Sequence, residues 1–533
     1  MQMRDLLQSE EFLKLIVIFG AVCTLGSIAL GWGGLELGIT LVIRKTTKLS
    51  PGSTLWENWK NGDAHIKFYL FNITNPEEVA TKKVELNEIG PFVYLVEFDK
   101  LNMDKNKKID TILYSPTRTY YFQADKSSGK ESDLITFINV PYVAMSHIAN
   151  DAANSENNNI PEMVDRILTE KGEKLIRTDT VKNFLFDGIS VQAYVDLMND
   201  LLVDQESENI HLPEHFKDGL FAIFKGKNGT KDGRWECHSG NRNYADIGKL
   251  VSYNGQSRLN LYKDSSCNAI NGTDGWIYPP FIEPGEKDLY IFLPELCRSV
   301  RWEFVKMTQV EGGIPVARHR FPQIKTFAED PQVWCFCPKT NVSACDIHGI
   351  ANLEQCFDGI PLLYSKPHFL NVHGSIRNLV NGIRPNTFVH ESNLDVYPLT
   401  GTLVSTNIKM QFSIELIPWE SMPSFSKAQR AIIPFVWVEI VSSLTGITFM
   451  AVRLLSLLLR LLPILRILAL LGSLGIVFIA YFLAYRCRKN NSIVIEVSED
   501  EDDDETRAAH ELWMKKFKNQ THIKYPDSAN MHN

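Results

Sequence analysis

The feature that most constrains this chain is where its apolar residues lie: they crowd into the two ends. Residues 15–43 are almost continuously apolar, flanked by Lys14 and Arg44 and interrupted by one acid, Glu36. A helix needs roughly 20 apolar residues to cross a ~30 Å hydrocarbon core. The apolar run of a cleaved signal peptide is only about 7–15 residues, so the longer stretch reads as an anchor. Glu36 falls near its outer end, where a carboxylate at the interface costs little. Residues 467–485 are equally apolar and are stopped by Arg486, Arg488 and Lys489. Upstream, residues 438–466 are apolar but carry Arg453, Arg460, Arg466 and Pro463. An arginine at the bilayer centre costs about 2.5–3.5 kcal/mol, and Arg453 and Arg460 share one helix face. That piece therefore reads as an amphipathic helix at the membrane surface or packed under the domain before it.

These anchors predict a two-span chain: an N-terminal tail 1–14, a span 15–43, an ectodomain 44–437, a juxtamembrane helix 438–466, a span 467–485 and an acidic tail 486–533. The basic cluster after residue 485 puts that tail in the cytosol. The central segment carries N-x-Ser/Thr sequons at Asn72, Asn228, Asn271 and Asn341, so these asparagines are the expected glycosylation sites. It also holds seven of the nine cysteines: Cys237, Cys267, Cys297, Cys335, Cys337, Cys345 and Cys356. Clustered cysteines suit an oxidising compartment, so both termini are expected to be cytosolic. Cys487, beside the membrane among basic residues, is a palmitoylation candidate. Ser498 precedes seven consecutive acids, Glu499 to Glu505, and is a phosphorylation candidate; the acidic run suits recruitment of trafficking adaptors. The net charge of -8 excludes a nucleic-acid binder, which would show a basic face.

Within the ectodomain, residues 402–417 alternate. Val404, Thr406, Ile408, Met410, Phe412, Ile414 and Leu416 face one way, with Ser405, Asn407, Lys409, Gln411, Ser413 and Glu415 facing the other. That period predicts a half-buried antiparallel strand. Residues 66–73 and 92–98 also read as strands. Asn75-Pro76-Glu77-Glu78 reads as a capped helix start. Residues 142–150, 161–174 and 191–203 read as helices. Helices thus gather at about 142–203 between strand-rich flanks, which predicts an α+β fold with a helical cap. His147 and His368 invite a hydrolase reading, but the chain has no G-x-S-x-G elbow and no H-E-x-x-H pair. Cys335, Cys337, Cys345 and His348 do not have a recognised zinc-finger spacing. No enzyme activity and no metal or other cofactor is expected.

Several short segments, in order between the two anchors, resemble the class B scavenger receptor family, which includes insect sensory neuron membrane proteins and lysosomal integral membrane proteins. They are Tyr69-Leu-Phe-Asn-Ile-Thr-Asn-Pro-Glu-Glu-Val79, Glu88-Ile-Gly-Pro-Phe-Val-Tyr94, Ser146-His147-Ile148, Cys297-Arg298-Ser299, Gly313-Ile314-Pro315, Cys335-Phe336-Cys337, Pro367-His368-Phe369-Leu370 and Pro398-Leu399-Thr400-Gly401. The resemblance implies a β-rich, antiparallel barrel-like ectodomain with a helical apex and an apolar tunnel toward the membrane. Six cysteines admit many pairings; the resemblance implies Cys267–Cys335, Cys297–Cys356 and Cys337–Cys345, with Cys237 left over. It also implies that basic residues near the apex meet anionic headgroups or acidic proteins, and Lys171, Lys174 and Arg177 are the candidates. The leading expectation is a receptor that binds lipids, fatty acids or lipoproteins and passes lipid through the tunnel. The alternative is a protein-binding receptor for adhesion, clearance of debris or escort of a luminal protein. The absence of an acidic dileucine signal points to the plasma membrane, with the endosomal or lysosomal membrane as the other location.

Overall fold

The structure is a computed structural model that describes residues 10–29, 33–153, 159–203, 212–283, 285, 288–326, 328–336 and 347–518. It has two compact units: residues 42–456, and residues 1–41 together with 457–533.

The larger unit is built on one antiparallel sheet. Its strands are β1 (Asn61–Ile73), β2 (Leu86–Asn106), β3 (Thr111–Phe122), β8 (Trp235–His238), β9 (Leu250–Tyr253), β10 (Leu289–Leu293), β11 (Arg298–Val310), β12 (Ile314–Arg320), β13 (Ile350–Asn352), β14 (Leu362–Ser365), β15 (Asn393–Tyr397), β16 (Thr402–Leu416) and β17 (Ala431–Ser443). The order is β10-β11-β12-β15-β16-β17-β1-β2-β3-β8-β9, with β13 and β14 branching from β16. Two small two-stranded sheets, β4 (Leu134–Ile138) with β5 (Ile176–Thr180) and β6 (Ile189–Ser190) with β7 (Leu220–Phe221), lie apart from it. The expected barrel-like closure is absent among the described residues, because the end strands β9 and β10 are not paired with each other. Both are short, and a loop bridges them. Gly272 O accepts from Leu250 N at 2.8 Å, and Thr273 N–H donates to Tyr290 O at 3.1 Å.

The centre of the sheet shows why these sequences become strands. Across β1, β17 and β16, one face carries the rows Ile66–Ile440–Ile408, Phe68–Val438–Met410 and Leu70–Val436–Phe412. The opposite face carries Lys67–Glu439–Lys409 and Tyr69–Trp437–Gln411. Period-2 alternation sorts apolar from polar as expected. The expectation that β16 is half-buried needs correction, since both of its faces are buried from Lys409 to Leu416. The turn at Pro367–Phe369, which follows β14 where it pairs along the edge of β16, covers the polar face, and His368 N–H donates to Gln411 Oε1 at 2.7 Å there. Two of the segments that carry the family resemblance meet at this cover. Glu88 Oε2 accepts from Trp437 Nε1 at 2.7 Å and from His368 Nε2 at 2.5 Å. His368 Nδ1 accepts from Arg384 N–H, so the proton sits on Nε2. Gly90, two residues on, has φ of 128°, and a Cβ there would stand 2.7 Å from Phe68 O. Only glycine fits that approach.

The cap holds helices α4 (Val140–Ala153), α5 (Ile160–Glu170) and α6 (Gln192–Val203). α5 buries Ile160, Val164 and Leu168 at helical spacing. α4 is buried almost all round, from Val140 to Ala149. The expected helix start at Asn75 is instead a three-residue turn, Pro76–Glu78, with no side-chain cap. Asn75 turns its amide to Lys83 O and Glu85 N–H, tying the loop back on itself. Other helical pieces of this unit are α3 (Thr54–Lys60), α7 (Gly374–Arg377) and α8 (Thr387–His390).

At the ends of the chain, α1 (Glu10–Ala29) and α2 (Leu35–Thr46) flank Gly33, whose φ is 117°. The apolar helix within α1, Lys14–Ala29, is shorter than the roughly 20 residues a span requires. The predicted first span 15–43 is therefore not one described helix. α9 (Gly446–Lys518) contains one apolar helix, Gly446–Arg486, of 41 residues, long enough to cross a membrane. The predicted juxtamembrane segment 438–466 is corrected in two ways. Residues 438–443 belong to β17, where Val438 and Ile440 continue the apolar rows. From Gly446 the helix runs on through Pro463 and Arg466 with no boundary. Its first turns pack Val452, Phe449 and Leu455 beside Ile314, Val316 and Tyr397. In the smaller unit, Arg466 Nη1 pairs with Glu36 Oε1 at 3.1 Å. Glu36 thus has a partner rather than standing alone at an interface.

Candidate functional site

The apolar face of the sheet does not close on itself. It surrounds a middle cavity of about 150 Å³ whose wall includes Ile66, Phe98, Ile408, Met410, Phe412 and Val438. A lower cavity of about 130 Å³ is lined by Leu55, Trp59, Val404, Thr445 and Thr448, the last in the first turn of α9. Trp276, Leu403 and Ser442 line both. An upper cavity of about 170 Å³ includes His215, Phe221, Phe357 and Phe435, and shares Phe224, Glu295 and Phe412 with the middle one. Three cavities in series therefore lie in the sheet unit, each sharing three lining residues with the next.

Trp276 stands between the lower two. Its ring packs on Gly62, where a Cβ would lie 2.6 Å from it. Beneath it, Lys100 Nζ pairs with Asp274 at 3.3 Å and faces the rings of Trp59, Trp276 and Tyr114 at 4.7, 5.6 and 5.7 Å. Asp274 also accepts from Trp59 Nε1 and Tyr114 Oη. The charge is matched, so its burial is tolerable. At the upper junction, Arg118 pairs with Glu295 and, at 3.3 Å, with Asp232. Lys227 Nζ reaches Asp232 at 2.6 Å. Burial alone would raise the Glu295 carboxyl, but Arg118 and Lys227 hold it below its ordinary value. Tyr120 lies on the same face of β3 as Arg118.

Sequence reasoning missed Arg118, Tyr120, Glu295 and Trp276. A signal existed for the first: Tyr114, Pro116, Arg118, Tyr120 and Phe122 share one phase of a strand, and an arginine in an otherwise apolar phase marks an interior charge.

The cap residues are placed as follows. Lys171 Nζ lies 3.9 Å from Asp196. Arg177 donates to Ser190 O at 2.9 Å and lies 3.9 Å from Asp179. Lys174 is exposed at the rim of a surface depression that also includes Arg177 and Glu173. The cap is not a bare basic patch, because Glu173 is held within it by Asn139 and Tyr194.

Cys267–Cys335 and Cys297–Cys356 are disulfides with Cα separations of 6.0 and 5.7 Å. Loops of this length correspond to about 4 kcal/mol each on the chain-entropy account. Cys297 and Cys356 line the upper cavity. Cys337, Cys345 and Asn341 lie outside the described residues, as do the side chains of Cys487 and Ser498. Cys237 is a buried free thiol. Asn228 and Asn271 are exposed, while Asn72 is half-buried and its Oδ1 accepts from Thr136 N–H at 2.8 Å. His147 is buried, with Nε2 3.0 Å from Glu415 O; burial depresses its pKa to about 4. It is a packing residue.

The sequence profile of the CD36 family matches residues 18–484. Curated relatives include scavenger receptor class B member 1 of Mus musculus, 29% identical over 79% of this chain and 82% of that protein. Lysosome membrane protein 2 of Rattus norvegicus is 30% identical over 69% of this chain and 73% of its own length. Sensory neuron membrane protein 1 of Apis mellifera is 29% identical over 74% and 76%. The chain belongs to the CD36 family and is a membrane receptor of the scavenger class, not an enzyme.

Proposed function

We propose that this receptor takes up lipid and passes it through the ectodomain toward the membrane. The observation that carries this reading is the series of three interior cavities with shared walls, the lowest reaching the first turn of α9. An apolar lining with a few placed polar groups is what a lipid chain requires. In this reading both ends of the chain anchor it, the first through residues 15–43, and both termini are cytosolic. Lys171, Lys174 and Arg177 on the cap meet anionic headgroups or particles, and the sequon asparagines carry glycans. Cells with and without the chain are compared for uptake of labelled lipid. Ala64 is a small residue in the wall of the middle cavity. Ala64→Phe places a ring in that space. Uptake falls to the level of cells without the chain while surface expression stays normal. Unchanged uptake in this variant overturns the reading.

A further inference from the structure

One hairpin reaches past β1 at the end of the sheet where the chain leaves it. β2 and β17 flank β1 and both run antiparallel to it, so both leave the sheet where β1 begins. β17 passes there into α9, which holds the apolar helix long enough to cross a membrane. β2 runs on from Lys100 to Asn106, beyond the Asn61–Asp99 pair that starts β1, and turns back at residues 107–110 into β3. That turn is fixed beside the residues that follow α2. Lys105 Nζ donates to Leu49 O at 3.2 Å, and Leu49 N–H donates to Ser239 O at 2.8 Å. Ser239 Oγ, Asn241 Nδ2 and Arg242 N–H all donate to the buried carboxylate of Asp110. Arg242 Nη2 donates to Lys108 O at 2.5 Å, and Asn106 Oδ1 accepts from Lys108 N–H at 3.0 Å. Arg44 lies over the rings of Tyr244 and Phe281 at 5.1 and 5.8 Å.

The surface of this corner is basic, with one apolar point. Segments 45–48, 104–110 and 241–243 carry Lys45, Lys48, Lys105, Lys107, Lys108 and Arg242 against Asp104 and Asp110, and Asp110 is already satisfied inside the fold. Lys45, Lys107 and Lys108 are exposed and form no ion pair among the described residues. Ile109, at the tip, is 52% exposed. We propose that this tip docks on the headgroup layer of the bilayer that anchors the chain, with Ile109 entering the layer and Lys45, Lys107 and Lys108 on anionic lipid. This rests on the reading that residues 15–43 are an anchor, and not on lipid passing through the cavities. In water the like charges repel one another and Ile109 stays wet. Against an anionic surface the lysines meet phosphates and carboxylates, and the isoleucine gains an apolar boundary. Docking here holds the lower cavity toward the bilayer, since Asn61, Gly62 and Ser443 at the same end of the sheet line it. The cap stands at the other end of β1, where Asn72 Oδ1 accepts from Thr136 N–H.

The test uses the full-length protein in nanodiscs of phosphatidylcholine, with and without added phosphatidylserine, and reads amide hydrogen exchange. Residues 104–110 exchange about tenfold more slowly in the anionic discs, and added salt removes that difference. Lys107→Gln with Lys108→Gln brings the two discs within about twofold of each other. Ile109→Asp speeds exchange of the turn in both discs. Residues 176–180 of the cap exchange alike in both and serve as the control. Equal exchange of residues 104–110 in the two discs, or a difference that survives the double variant unchanged, overturns the docking. Slow exchange of residues 15–43 beside that result leaves the anchor reading standing. If residues 15–43 exchange freely, both fall.

Discussion

The two faces of β16 are built on opposite principles. On one, Ile408, Met410 and Phe412 look into open cavities. On the other, Lys409, Gln411, Ser413 and Glu415 are as deeply buried, yet nearly every polar group is matched. Lys409 N–H donates to Ser392 Oγ, Gln411 receives His368 N–H and donates to Ser365, and Glu415 is held by Arg430 at 2.6 Å. Charge and amide chemistry make the polar face directional, so it sets the register. The apolar face is non-directional and leaves unfilled space. Stability and unique geometry are concentrated on the polar side, and capacity for a guest on the apolar side.

The largest test of that contrast compares neighbours. Gln411→Leu strands the buried His368 N–H and removes the donor to the Ser365 hydroxyl, which keeps its own bond to Lys366 O. It lowers unfolding free energy by about 3 kcal/mol. Met410→Leu, one residue away and facing the cavity, costs under about 1 kcal/mol. Chemical denaturation of both variants reads the difference; equal losses would erase the distinction between the faces.

Acid probes the polar side next. Burial, with His368 adding for the second, lowers the pKa of His147 and His390 to about 4. The folded pKa lies below the unfolded value of about 6.5, so between those limits the unfolded chain binds the proton that the folded chain refuses. Stability present above about pH 6.5 is lost as pH falls toward 4, on the order of 2 kcal/mol per histidine at pH 5. Glu354 works against this. Burial, then Asp151, raises its carboxyl to about 7, so acid relieves it by a similar amount. The balance is a Tm lower at pH 5 than at pH 7. His147→Gln, which keeps a donor for the Glu415 carbonyl, flattens that slope. A Tm independent of pH in the wild type refutes the assignment.

Ala64→Phe is expected to shift stability by less than about 1 kcal/mol, since the ring enters existing space. Its effect is on uptake, which separates the cavity face from structure. The smallest stability effect belongs to the cap. Lys171→Gln with Lys174→Gln changes stability by no more than about 0.5 kcal/mol, because exposed ion pairs contribute little. Binding of anionic particles falls while surface expression is unchanged. Unaltered binding would remove the cap lysines from ligand recognition.

Local patterns were legible where they are decided locally. The alternation expected over 402–417 falls on β16, one residue longer than the strand, and the cap helices begin within two residues of the expected positions. Legibility failed where a neighbour decides. Lys409 and Glu415 read as solvent-facing because nothing in their own segment announces the cover supplied by residues 365–391. Residues 438–443 read as the start of a juxtamembrane amphipathic helix because an apolar run has no periodicity to separate a buried strand from a helix. Arg118 and Glu295 are 177 residues apart, and no local signal joins them.

The sequence by itself determined that apolar runs crowd the two ends of the chain, that its middle is an α+β domain suited to disulfides, and which family it resembles. Those are properties of runs, periods and short motifs, each carried by contiguous residues. Only the tertiary structure decided that the apolar face encloses cavities in series, that the opposite face is covered by a largely matched polar network, and that Arg118, Glu295, Asp232 and Lys227 join in one chain of ion pairs. These depend on which strands become neighbours, and strand pairing is a long-range choice that no single segment encodes.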